Sequence, residues 1–129
     1  MGGICGYATG SDKSDTVPKM NITECMNSGT VICLDPTQSD SGGIAGSIYA
    51  VGNVSDCFNE GVVSTGEVSL SKPYIGGIVG KTGSYGRVTN CYNVTAPQTP
   101  SSDTTYTRAI VGRPNVKTVL TTSSKTVSA

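Results

Sequence analysis

Of the nine carboxylates and five thiols of this 129-residue protein, two carboxylates and three thiols each recur at one position. Glu24, Asp56 and Asn90 each stand immediately before a cysteine: Cys25, Cys57 and Cys91. The thiols are spaced 57 − 25 = 32 and 91 − 57 = 34 residues apart. If blocks of that length stack, Glu24 and Asp56 lie on adjacent levels as an acidic pair beside neutral Asn90. Such a pair is suited to holding a cation or to acid–base work. The plainer reading is a solvated rim, and with no histidine in the chain the expectation is that it is not an enzyme and holds no cofactor.

The thiols admit three chemistries. Cys25, Cys57 and Cys91 suit a buried column, since free cysteine behaves as a small apolar residue. Levels about 4.8 Å apart also fall inside the Cα range of a disulfide, about 4.4–6.8 Å, so a bridge between levels stays open. Zinc is the weakest reading, because no His and no C-x-x-C pair is present. Five cysteines, being odd in number, leave at least one outside any intramolecular bridge. The loop Ser11-Asp12-Lys13-Ser14-Asp15 offers oxygens for calcium, but too few, and with a competing lysine. Asn27, Asn59 and Asn93 each follow a column cysteine by two residues. Stacked at a turn, their amides can bond from level to level as a ladder. Asn21, Asn53 and Asn93 also open N-x-S/T triplets, which an Asn/Ser/Thr-rich chain produces by composition alone.

The elements that must position these residues are written as a repeat. Gly2-Gly3-Ile4-Cys5-Gly6, Gly42-Gly43-Ile44-Ala45-Gly46 and Gly76-Gly77-Ile78-Val79-Gly80 open three blocks, and Ala109-Ile110-Val111-Gly112 echoes them. A second module follows each full opening: Ile22 to Asn27, Val54 to Asn59, Val88 to Asn93. Ile44 to Val54 and Ile78 to Val88 are both ten steps, whereas Ile4 to Ile22 is eighteen. The extra residues fall in the polar stretch 9–18, as expected of an array that tolerates insertion only in loops. Ile4, Ile44, Ile78 and Ile110 thus form one core column, Ile22, Val54 and Val88 another, and the three cysteines a third. Repeated columns, seventeen glycines and the absence of helical periodicity predict an all-β parallel β-helix of about four rungs with three short strands per rung. The step from Val to Cys is three, so both point inward only if the chain bends at Glu24, Asp56 and Asn90. The expected division is three repeats in 1–96 (about 2–41, 42–75 and 76 onward), then a degenerate last rung and Ser/Thr-rich tail in 97–129. Within that tail 116–122 reads as one more strand.

Gly-Gly-Ile-Val-Gly followed by Val-Thr-Asn-Cys-Tyr-Asn resembles the GLUG repeat of bacterial surface proteins, which also occurs beside the catalytic region of some immunoglobulin A proteases. The resemblance covers roughly residues 2–96. It implies a cell-surface or secreted β-solenoid acting as spacer or adhesive stalk, with no catalytic residues of its own.

Nine basic residues balance nine acidic ones, so the electrostatic drive toward nucleic acid is absent, and Lys72, Lys81 and Arg87 make no stripe. No apolar run approaches the eighteen residues of a membrane helix. The resemblance implies an extracellular or cell-surface setting. Because the start at Met1-Gly2-Gly3 reads as a strand and not as a signal peptide, the expectation is a piece of a longer precursor. The expected function is a non-catalytic structural or adhesive module that touches a host glycan or protein through its outer faces. Tyr49, Tyr85 and Tyr92 are the aromatic candidates, although Tyr92 shares its repeat position with Phe58 and Met26 and so also reads as packing. The alternative is a filament subunit stacking end to end with its own copies through open edges. A carbohydrate-active enzyme ranks third.

Overall fold

The computed structural model describes residues 1–9, 20–34, 40–49, 52–68, 73–83, 86–114, 119–120 and 125–126. Among them are seventeen short strands and no helix. The first repeat supplies β1 (Cys5–Thr9), β2 (Met20–Thr23), β3 (Met26–Asn27) and β4 (Val31–Ile32). The second supplies β5 (Asp40–Gly42), β6 (Ala45–Tyr49), β7 (Gly52–Ser55), β8 (Phe58–Asn59) and β9 (Val63–Ser64). The third supplies β10 (Tyr74–Gly76), β11 (Val79–Thr82), β12 (Arg87–Thr89) and β13 (Tyr92–Asn93). Four more follow: β14 (Thr107–Arg108), β15 (Val111–Arg113), β16 (Val119–Leu120) and β17 (Lys125–Thr126).

Every pairing is parallel, and each sheet collects strands from successive repeats. The orders are β5-β10-β14, β1-β6-β11-β15, β2-β7-β12-β16, β3-β8-β13-β17 and β4-β9. Register follows the columns: Ile22 pairs with Val54, Val54 with Val88, and Val88 with Leu120. The second repeat is therefore five strand segments, not three. One extra break falls at Gly43-Ile44, between β5 and β6. The other falls at the bend expected before the cysteine.

That bend is a left-handed residue in each repeat: Glu24 (φ 55°), Asp56 (φ 54°) and Asn90 (φ 51°). Turning the chain there lets Val54 and Cys57, three steps apart, both point inward at 0% and 1% exposure. Asn and Asp tolerate this backbone through local hydrogen bonding, whereas Glu does so less readily.

The main core packs Ile44, Ile48, Val54, Cys57, Ile78, Val79, Val88 and Cys91, with Val111 at its far side. A smaller cluster joins Val31, Val63 and Ile75. Ile4 keeps its place in register, its N–H donating to Ile44 O at 3.0 Å, but its side chain is 49% exposed. Ile22 and Cys25 of the same level are half-buried, as is Ile110 at the other side. The first level has no described strand beyond it to cover these columns.

Past the third repeat the backbone departs from the sequence expectation twice. The third repeat adds no strand to the β4-β9 sheet, where three strands per rung would require one, and meets it through a single bridge, Ser64 to Gln98. The last repeat lacks the Cys-Asn module in sequence, yet β16 and β17 still pair with β12 and β13, so Lys125 and Thr126 take the register positions of Tyr92 and Asn93.

Candidate functional site

Three arrangements stand out: an interior amide ladder, a thiol column with an acidic turn beside it, and an aromatic–cationic cleft outside. The ladder is built by Asn27, Asn59 and Asn93. Asn27 Nδ2 donates to Asn59 Oδ1, and Asn59 Nδ2 donates to Asn93 Oδ1, both at 2.8 Å. Each Nδ2 also donates to a carbonyl two residues on: Gly29 O at 2.8 Å, Gly61 O at 2.9 Å and Thr95 O at 2.7 Å. Asn59 and Asn93 are fully buried, so these bonds offset the desolvation of two amides. The second glycine of each opening makes the room. A Cβ on Gly43 would stand 2.2 Å from Asn59 Cγ, and one on Gly77 would stand 2.0 Å from Asn93 Nδ2. At Gly3 the nearest side-chain atom is Asn27 Cγ at 2.6 Å. The glycine and asparagine repeats are thus two halves of one contact. With its amide buried in the ladder, Asn93 presents no accessible attachment point for a glycan in the folded chain.

The thiols stack beside this ladder. Cys25, Cys57 and Cys91 donate to the carbonyls of Thr23 (3.2 Å), Ser55 (3.1 Å) and Thr89 (3.2 Å). All five cysteines are free thiols, and Cys33 is buried. The Cys91 thiol hydrogen-bonds to Cys57 and pulls its pKa down, while the same contact and burial push Cys91 up. Burial, with Cys57 next to it, raises Cys25. Outside the column, Asp56, Cys57, Phe58, Asn90 and Tyr92 line a cleft of about 350 Å³. Asn90 Nδ2 donates to Asp56 Oδ1 at 3.2 Å, and the Phe58 and Tyr92 rings meet edge to face at 6.5 Å. Glu24 and Asp56 occupy equivalent turns on adjacent levels, their N–H groups donating to Ser55 O and Thr89 O. Among the described residues no group of three His, Cys, Asp or Glu is placed to hold a metal. The loop 11–15, Lys72 and Tyr85 lie outside the described residues.

The third arrangement was not legible as a unit. Tyr7, Ser47, Lys81 and Arg113 share one register column across β1, β6, β11 and β15. Lys81 Nζ lies 5.4 Å from the Tyr49 ring centroid and 5.7 Å from that of Tyr74. The Arg113 guanidinium lies 4.9 Å over Tyr74 and 5.5 Å over Tyr106, and its Nη1 donates to the Tyr74 hydroxyl at 3.0 Å. Arg108 covers Tyr106 at 5.8 Å. Hydrogen bonding to Tyr49, then the charges of Tyr49 and Asp40, hold the Lys81 pKa above the usual lysine value despite partial burial. Lys81 and Arg87, six residues apart in sequence, sit on different sheets. Tyr92 packs on Phe58, away from this group.

The glycine openings, the left-handed turn and the Asn after the cysteine occur together in the third repeat, where residues 73–94 match the family model of the GLUG motif. The chain carries a GLUG motif. The matched GLUG segment spans β10 to β13 and includes Gly77, Asn90, Cys91 and Asn93, the full set that builds one level of ladder and column. Neither the curated proteins nor the solved structures contain a match to this chain.

Proposed function

We propose that the protein is a short parallel β-solenoid, a non-catalytic structural and adhesive module within a longer bacterial surface or secreted protein. The observation that carries this reading is the order of the sheets, in which parallel neighbours come from successive repeats, three of the five sheets running through all of them. Repeats that stack in this way add length and outer surface without needing a new core. The GLUG motif at 73–94 supports membership of a repeat array in a larger protein. A non-catalytic role is favoured by Asp56, whose carboxylate accepts from the neutral Asn90 amide in an exposed turn. The test is insertion of a second copy of residues 42–75 after residue 75. A stack gives a folded, more stable protein about 4.8 Å taller by X-ray scattering. An aggregated or unfolded product contradicts it.

A second reading, end-to-end assembly, is favoured by the first level. Met1, Ile4, Tyr7, Met26, Ile32 and Leu34 are all 44–62% exposed. Covering such side chains is worth about 1 kcal/mol or more each, whether by another repeat or by a second copy. Light scattering over a concentration series separates these: particles of uniform width that lengthen support assembly, and a constant 13.1 kDa species opposes it.

A further inference from the structure

Beside the cation–tyrosine column lies a cleft of about 390 Å³, lined by Tyr49, Lys81, Gly83, Tyr106, Arg113 and Pro114, together with Thr82. That volume lies in the range of small-ligand sites, about 300–1,000 Å³. Its walls are held in place before any ligand arrives. The Tyr49 ring rests on Gly83, where an added Cβ would stand 2.5 Å from Cδ1, and packs against Tyr7 at 5.3 Å. Tyr74 meets Tyr106 edge to face at 5.3 Å, and both carry the guanidinium of Arg113. Two cations, Lys81 and Arg113, line the cleft beside tyrosine rings, and the charge of Asp40, whose carboxylate accepts from the Ser47 hydroxyl at 2.7 Å, acts on Lys81.

We propose that this cleft binds an acidic sugar of a polysaccharide, its carboxylate between Lys81 and Arg113 and its ring against Tyr49 or Tyr106. The proposal deepens the adhesive reading above and rests on it. A guanidinium held by a tyrosine hydroxyl keeps N–H donors for a carboxylate and loses little side-chain freedom on binding. The raised pKa of Lys81 keeps its ammonium charged across the physiological range. Tyrosine supplies a rigid apolar face for the C–H side of a sugar ring at small entropic cost. Neutral chains lack the charge, and carboxylate polymers without a ring lack the stacking partner.

The test is calorimetric titration of the intact chain with a galacturonate tetramer, a neutral maltotetraose and poly-glutamate. The expected result is binding to the galacturonate alone, weakened about tenfold or more by Arg113→Gln and by Lys81→Gln. Both side chains also pack on tyrosine rings, so each variant is first shown by circular dichroism and a thermal melt to be folded at the titration temperature, and its affinity is read there. Tyr106→Ala is expected to weaken binding as well; should it also lower the melting temperature, the two cation variants decide. Galacturonate binding that survives both charge variants overturns the cleft and leaves the adhesive reading standing. Equal binding of poly-glutamate overturns the sugar assignment. No binding of any glycan overturns the cleft, and adhesion of the intact chain to immobilised host proteins then decides the adhesive reading by itself.

Discussion

The interior column of Asn27, Asn59 and Asn93 and the outer column of Tyr7, Ser47, Lys81 and Arg113 run through the same repeats under opposite rules. Inside, the same residue recurs because an amide can accept from one neighbour and donate to the next, as Asn59 does between Asn27 and Asn93. In the outer column every level carries a different side chain in the same register, Tyr7 and Arg113 exposed, Lys81 half-buried and Ser47 covered. Identity marks what the stack needs to exist, and variation marks the surface left to interact with something else. The glycines follow the same division: Gly43 and Gly77 face asparagines at under 2.5 Å, whereas an added Cβ on Gly6 meets nothing within 4 Å.

Asn59→Ala should break this comparison most severely. It strands Asn93 Oδ1 and Gly61 O without their donor, and the expected loss of about 3 kcal/mol is measurable by chemical denaturation. Gly77→Ala comes next, at about 2 kcal/mol, because its Cβ collides with the Asn93 amide; Gly6→Ala, on open ground, should stay within about 0.5 kcal/mol. Glu24→Asn sharpens the turn rule by placing a residue tolerant of φ 55° where glutamate now stands, and should raise stability by about 1 kcal/mol in a thermal melt. The smallest effect belongs to Ser41. Its buried hydroxyl finds no partner among the described residues, so Ser41→Ala should be neutral or stabilising by about 0.5 kcal/mol. A loss of 1 kcal/mol or more would show that the hydroxyl is engaged.

The columns were legible because identical residues at a fixed interval need no knowledge of the path between them. The bend before the cysteine was legible for a similar reason, since two inward positions three steps apart demand it. The pairing of glycine with asparagine was not, although its arithmetic lay in the chain. Gly43 to Asn59 and Gly77 to Asn93 are both sixteen residues, and Gly3 to Asn27 is twenty-four, longer by the eight residues of the insert. A contact across the interior becomes visible only when the backbone is known to return. The aromatic–cationic cleft escaped for the opposite reason: its residues share register but not identity, so nothing in the periodicity marks them. Tyr92, singled out for its ring, packs on Phe58, while Tyr74, Tyr106 and Arg113 carry the outer face. The Cys-Asn module, absent after residue 113, does not stop the backbone from pairing: β16 and β17 extend their sheets without it.

The most direct test of the interior rule is hydrogen exchange at side-chain amides in protein labelled with nitrogen-15 on asparagine alone. A buried ladder predicts that the Nδ2 protons of Asn59 and Asn93 persist long after transfer to deuterated water, while those of exposed Asn21 vanish at once. Loss of all three at the same rate, in protein that is otherwise folded, would contradict the ladder and the stacking built upon it.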